Sequence, residues 1–271
     1  MQKVKPLKRF GQNYLIDTNI LNKIVEEISP APTDNLIEIG PGRGALTKKL
    51  IEHTENLTSV EIDFRVIDEL KEALPKLNLI NGDFLELDLN PFYQKNKQKL
   101  RIVGNIPYNL TSPIIFKMIG NNKIIQDSVL MVQLEVAQRI TAKKGTKEYG
   151  ILAVLLQFFA DVKICFKISP NVFSPRPKVY SALIHINFKV VDLSEIEKEF
   201  FIKTVKACFG NRRKTLKNSL SNSIFANINF SDSDINLNLR AEQLEITDFV
   251  KLAKFTLEKQ RQSGLSENNT Q

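Results

Sequence analysis

The sequence predicts an α/β fold, a doubly wound sheet whose last strand is inserted antiparallel, followed by a small helical domain. Three observations predict it. Short strand-like runs alternate with helical spacing between residues 36 and 81. A final pair of strand-like runs, 162–168 and 180–188, has no clear helix between its members. Strand signals then stop beyond Asp192. Taken in order, Asp17 or Thr18 caps a helix whose Ile20, Leu21, Ile24, Val25 and Ile28 share one face, and Pro30 and Pro32 end it. Strand 36–39 leads into Gly40-Pro41-Gly42-Arg43-Gly44, which opens a second helical stretch. Strand 58–62, a helix over 67–74 and strand 77–81 complete a βαβαβ rhythm, and strands 100–104 and 128–133 follow. Past Asp192, Phe201, Val205, Cys208 and Phe209 fall on one helical face, which places a domain boundary there, with residues 1–191 before it and 192–271 after. Residues 259–271 are polar and are expected to fray.

The charge balance, 38 Lys and Arg against 30 Asp and Glu, leaves +8 and favours an anionic partner such as nucleic acid. Cys165 and Cys208 stand far apart without metal-ligand spacing, so neither a disulfide framework nor a metal site is expected. No stretch approaches the length a membrane helix requires, and the basic start has no apolar leader core, so a cytoplasmic protein is expected. His53 and His185 fall in a predicted helix and strand, and both read as structural or solvent-facing.

Two motifs carry chemistry. The glycine-rich segment sits at a strand end before a helix, where glycine lets the backbone turn tightly and approach a ligand. Glu38 precedes Gly40 by two residues. Glu61 ends the next strand, 21 positions after Gly40, where its carboxylate can accept hydrogen bonds from both ribose hydroxyls of an adenosine-containing cofactor. Asp83, past the third strand, is placed to meet an adenine ring. Together these resemble class I methyltransferases, whose cofactor is S-adenosylmethionine.

The second motif, Asn105-Ile106-Pro107-Tyr108, follows the fourth strand. An adenine amine is a poor nucleophile because its lone pair is delocalised into the ring. Acceptors at the Asn105 side chain and at a backbone carbonyl near Pro107 can hold its two hydrogens, while Tyr108 offers a stacking face. Phe173, in Phe173-Ser174-Pro175-Arg176-Pro177-Lys178-Val179, is expected to press the opposite face of the base, the alternative being a core anchor.

With Lys8-Arg9-Phe10-Gly11-Gln12-Asn13-Tyr14-Leu15 near the start and Cys208-Phe209-Gly210-Asn211-Arg212-Arg213-Lys214-Thr215-Leu216 near the end, the series resembles the ribosomal RNA adenine dimethyltransferase family, in its bacterial small-subunit branch. The resemblance implies a Rossmann-like class I S-adenosylmethionine-dependent methyltransferase sheet with a small C-terminal helical domain. It implies that Asn13, Leu15, Gly40, Glu61, Asp83 and Asn105 line the S-adenosylmethionine site. Tyr108 and Phe173 would clasp the adenine. The implied substrate is two adjacent adenosines in a hairpin loop near the 3′ end of small-subunit rRNA, met by a monomer on a pre-30S particle, with no metal. Two readings stay open beside it: a large-subunit methyltransferase of the erythromycin-resistance type, and a non-catalytic ribosome-assembly factor. Tyr14, Leu134 and Tyr180 depart from the family's usual pattern of Phe, a basic residue and Asp.

Lys203, Lys206, Arg212, Arg213, Lys214 and Lys217 are not interrupted by an acid, and Arg212, Arg213 and Lys214 are expected to face RNA phosphates. Lys3, Lys5, Lys8 and Arg9 can add to the same field.

Overall fold

In the structure, a computed structural model that describes residues 12–268, a seven-stranded mixed sheet has the strand order 78–81, 57–61, 35–39, 100–105, 125–133, 181–188 and 160–168. The N-terminal basic residues and the first part of the N-terminal motif lie outside the described residues. The elements run β1 (Tyr14–Leu15), α1 (Thr18–Ile28), β2 (Asn35–Ile39), α2 (Thr47–Leu50), β3 (Leu57–Glu61), α3 (Ile67–Ala73), β4 (Asn78–Asn81), α4 (Asn90–Asn96), β5 (Leu100–Asn105), α5 (Thr111–Gly120) and β6 (Ile125–Gln133). They continue with α6 (Leu134–Ile140), α7 (Ile151–Phe159), β7 (Ala160–Ile168), β8 (Phe173–Ser174), β9 (Ser181–Phe188), α8 (Glu195–Cys208), α9 (Leu216–Leu220) and α10 (Ile246–Asn268). Strands β4, β3, β2, β5 and β6 are parallel, and β9 is antiparallel to both β6 and β7. The expected inserted strand is therefore present.

Local chemistry explains the elements. The Asp17 side chain accepts from Ile20 N at 3.0 Å and starts α1, and Ser29 in a left-handed conformation ends it. Leu21, Ile24 and Ile28 of α1 enter a core with Leu36, Val103, Val129 and Leu183. Strands β2 and β3 are buried at every position, as a central parallel strand covered on both faces must be. Two expectations need correction. The helix after the glycine-rich turn is only the short α2, because residues 42–46 are taken up by turns, and His53 lies exposed in the turn that follows. The polar C-terminal stretch does not fray at residue 259, since α10 runs to Asn268 through residues that are mostly good helix formers.

The chain divides into two compact units, Met1–Ala137 with Ala160–Lys189, and Gln138–Phe159 with Val190–Gln271. The single cut expected at Asp192 lies near one crossing, but the chain also leaves the first unit for residues 138–159. Periodicity concealed this excursion because α7 is apolar nearly all round and carries no polar stripe. Within the second unit the ring of Phe158 lies 4.2 Å from that of Phe201 on α8, and Phe209 stacks on Phe249 of α10 at 5.6 Å.

A charged node closes the amino edge of the sheet. Arg101 donates from Nε and Nη2 to both oxygens of Asp127 at 2.8 Å, from Nη1 to Asp34, and to the carbonyls of Ile28 and Ser29 at the end of α1. His185 places Nε2 2.9 Å from Asp127 and Nδ1 2.9 Å from Glu27, which also takes Lys163. Carboxylates only accept, so both ring nitrogens carry hydrogen and His185 is an imidazolium. The bond to Asp127 raises the His185 pKa, against the opposing effect of burial, with Glu27 adding to the rise.

The folded state thus holds this proton more tightly than the unfolded chain, whose histidine titrates near about 6.5. The stabilisation is full below that value and is lost as pH rises through the raised folded value. The gap in urea midpoint between wild type and His185→Gln is expected to be widest near about pH 6 and to narrow toward about pH 9. A gap that does not change with pH would show that the ring is neutral in the fold.

Candidate functional site

Successive strands run outward from β2 in one direction through β3 and β4, and from β5 in the other through β6. Such a reversal opens a crevice at the carboxyl ends of the two central strands. The crevice here is a cavity of about 550 Å³ lined by Asn13, Leu15, Gly40, Glu61, Asp83, Asn105, Pro107 and Tyr108 among others. Eight of the nine residues assigned to cofactor and base from the sequence therefore converge on one space. The approach of β5 to β2 depends on Gly104, where a Cβ would stand 2.5 Å from the carbonyl oxygen of Ile39.

Gly40 and Gly42 adopt positive φ, and around Gly40 a Cβ would meet nothing nearer than 3.9 Å, so its backbone is open to a ligand. The Glu61 carboxylate is pinned by two backbone donors, Gly42 N at 3.0 Å on Oε2 and Asp63 N at 2.9 Å on Oε1. Two N–H bonds leave roughly half of its lone-pair capacity for a ligand's hydroxyls. Burial raises the Glu61 pKa, and the backbone donors oppose that rise. Asp83 turns one oxygen to Leu85 N at 2.8 Å. Strand β1 pairs antiparallel with β8, Leu15 opposite Phe173, which brings the two outlying motifs together.

Asn105 ends β5, and its side-chain nitrogen donates to the Asn13 carbonyl at 2.8 Å. A carbonyl cannot donate, so this bond fixes the amide orientation and leaves the Asn105 oxygen free to accept. Pro107 holds φ at −58°, and its carbonyl already accepts Leu110 N at 2.9 Å, which leaves it a second lone pair. Tyr108 is held to β9 by a 2.8 Å hydrogen bond between its hydroxyl and that of Ser181, and burial raises its pKa.

Phe173 departs from expectation. It is 4% exposed and belongs to the core cluster with Leu15, Leu21 and Ile24, not to the cavity lining. Opposite Leu15 in the β1–β8 pair, its ring gains more from apolar neighbours than from a solvated loop. It is a core anchor in this structure, and its neighbour Ser174 lines the cavity instead.

Residues 4–258 match the family described as "Ribosomal RNA adenine dimethylase". The chain belongs to this family. It is 43% identical over 246 residues to "Ribosomal RNA small subunit methyltransferase A" of Prosthecochloris aestuarii, covering 90% of this chain and 92% of that one. A protein of the same name from Francisella tularensis subsp. novicida is 42% identical over 259 residues, covering 93% and 98%. Among solved structures, a dimethyladenosine transferase from Plasmodium falciparum superposes with a TM-score of 0.73 at 25% identity, covering 88% of this chain and 95% of that one. The 23S rRNA methyltransferase ErmE superposes with a TM-score of 0.65 at 25% identity, covering 89% and 98%. The chain is thus a family rRNA methyltransferase, with S-adenosylmethionine as its donor. The cavity fits that donor: the open backbone at Gly40, Glu61 and Asp83 with their carboxylates, and Tyr14, whose buried hydroxyl has no partner among the described residues, all line it.

Other features were visible only in the fold. Arg212, Arg213 and Lys214 are exposed, but Arg212 also donates to the carbonyls of Lys147 and Tyr149 and so braces a neighbouring loop. The departures at Leu134 and Tyr180 meet each other, Leu134 N donating to Tyr180 O at 3.0 Å, with the Lys167 ammonium 3.7 Å from the Tyr180 ring centroid. Among the described residues no cluster of metal-ligating side chains occurs, and no helix is long and apolar enough to cross a membrane.

Glu38, noted in the motif but given no role, is 2% exposed and accepts from Thr47 Oγ1 and Ser59 Oγ, each at 2.8 Å. Burial pushes its carboxyl up to about 7, and the two hydroxyl bonds hold it from rising further. A carboxyl raised in the fold stabilises fully below its unfolded value near 4.5, and that contribution is lost as pH climbs through about 7. Glu38→Gln keeps the hydrogen-bond acceptor but does not titrate. Ligand-free wild type is therefore expected to lose stability relative to the variant between about pH 5 and about pH 8, read as diverging urea midpoints. Parallel midpoint curves would overturn the assignment.

Proposed function

We propose that this chain dimethylates N6 of two adjacent adenosines in a hairpin loop near the 3′ end of small-subunit rRNA. Its substrate in this reading is a pre-30S particle, which it meets in the cytoplasm as a monomer. The observation that carries the reading is Asn105, whose amide is oriented by the Asn13 carbonyl so that its oxygen is left to accept at the carboxyl edge of the sheet. The small-subunit choice rests on the 40–44% identity to small-subunit methyltransferases over about nine-tenths of the chain.

In this reading Glu61 holds the donor's ribose, Asp83 meets its adenine, and Asn13, Leu15 and Gly40 line the remainder. S-adenosylmethionine supplies an electrophilic methyl on a sulfonium when bound. The Asn105 oxygen and the free lone pair of the Pro107 carbonyl accept the two hydrogens of the target amine, which turns its lone pair out of conjugation. Transfer would form the C–N bond as the methyl–sulfur bond breaks and leaves a neutral thioether; the nitrogen becomes cationic and then loses one proton to solvent, so these acceptors hold it more strongly in the transition state than in the ground state. Tyr108, fixed by Ser181, presents its ring to the base. Positioning by these residues would supply most of the rate.

The test is methyl transfer to small-subunit particles isolated from cells lacking this protein, set beside large-subunit particles. Transfer to the small subunit alone is expected, and transfer to the large subunit alone would favour the erythromycin-resistance type. In the same assay, run as a single turnover at saturating donor, Asn105→Ala is expected to lower the rate by about two orders of magnitude or more. A near-normal rate would remove the acceptor role.

RNA docking in this reading belongs to the second unit. Arg213 and Lys214 face solvent without the bracing bonds of Arg212, so changing them to Ala together leaves the loop at Lys147 intact. RNA affinity measured across a salt series is expected to fall and its slope to flatten by roughly 0.7 to 0.9 per lost phosphate contact. An unaltered slope would assign both residues to solvated surface.

A further inference from the structure

Tyr14 borders the cavity but none of the roles above uses its hydroxyl. That hydroxyl is buried and has no hydrogen-bond partner among the described residues, although Tyr14 lines the cavity. The ring is held where it is. A Cβ on Gly42 would lie 2.8 Å from its Cε1, so the ring rests directly on the glycine-rich turn, and the Arg43 guanidinium lies 4.9 Å from the ring centroid. Strand β1 fixes the backbone through its pairing with β8. A buried hydroxyl without a partner is costly, and proteins retain such groups where a ligand completes them. Glu61 and Asp63 are its acidic neighbours, yet neither accepts from it: Glu61 takes the Gly42 and Asp63 amides, and Asp63 takes Arg65 and Gln12.

We propose that the Tyr14 hydroxyl is a further donor-binding group, completing its hydrogen bonding on a polar atom of S-adenosylmethionine beside the glycine-rich turn. The inference rests on the reading of this cavity as the methyl donor's site. Burial raises the Tyr14 pKa, so at neutral pH the group is a protonated hydroxyl able both to donate and to accept. A ribose hydroxyl and the donor's amino-acid end both offer suitable atoms, and two ligands separate them.

The experiment is calorimetry of the full chain and its Tyr14→Phe variant with S-adenosylhomocysteine and with 5′-methylthioadenosine, which lacks the amino-acid end. Ligand-free thermal unfolding is recorded for both proteins. Tyr14→Phe is expected to weaken S-adenosylhomocysteine by roughly 3- to 10-fold, the range of one neutral hydrogen bond. The ligand-free midpoint should stay the same or rise, because an unsatisfied buried hydroxyl has gone. An equal loss with methylthioadenosine places the partner on the nucleoside, and a loss confined to S-adenosylhomocysteine places it on the amino-acid end. Affinity within twofold of wild type for both ligands overturns the proposal. So does a loss of affinity accompanied by a lower ligand-free midpoint, since a structural role explains both. Failure of the wild type itself to bind either ligand overturns the reading of the cavity and this inference with it.

Discussion

The backbone N–H groups of Gly42 and Asp63 converge on the two oxygens of Glu61, and the shape of the cavity follows from that convergence. One bond reaches back to the glycine-rich turn after β2, and the other closes the turn after β3. A single buried carboxylate therefore sets the distance between two loops that their own sequences leave free. The arrangement works because a carboxylate has more acceptor capacity than two amides use, so the group that shapes the walls can still receive a ligand. It also explains why Gly42 tolerates no side chain: its N–H must point at Glu61 while Tyr14 lies against its Cα.

The two edges of the sheet divide the work. Along β5, Arg101 near the first residue gathers Asp127, Asp34 and the last carbonyls of α1, and Asn105 at the other end orients the candidate acceptor. The amino edge carries charges satisfied by one another and by backbone. The carboxyl edge carries groups with capacity left over: the second lone pair of Pro107, the remaining acceptor sites of Glu61 and the oxygen of Asn105. Paired charges rigidify and unpaired capacity binds, so a strand with one of each at its ends anchors a site without being consumed by it.

Much of this was legible beforehand. Helix α1, the parallel strands and the inserted β9 follow from periodicity, proline positions and the missing helix between residues 168 and 180. Glu61, Asp83 and Asn105 follow from their spacing at strand ends. The failures share a cause, since each depends on a partner distant in sequence. Phe173 looks like a loop aromatic until Leu15 is placed opposite it. Gly104 is one glycine among several until the Ile39 backbone appears beside it. Arg212, expected at RNA phosphates, shows no sign of bracing Lys147 and Tyr149 until their carbonyls are found beside its guanidinium. Helix α7 hides because all of its residues but Gln157 are apolar, which leaves no polar stripe to read.

That helix has a consequence for how such proteins can be recombined. Because residues 138–159 belong with the C-terminal segment, the second unit is woven in through two separate stretches of chain and is not a simple appendage. A chain ended near residue 190 keeps Phe158 and Phe159 while discarding Phe201, the aromatic neighbour of both. Exchanging the helical unit between relatives, by gene fusion or by descent, therefore needs a matched pair of junctions. A crossover at one point alone leaves an orphaned apolar helix, so the helical unit transfers intact only together with residues 138–159.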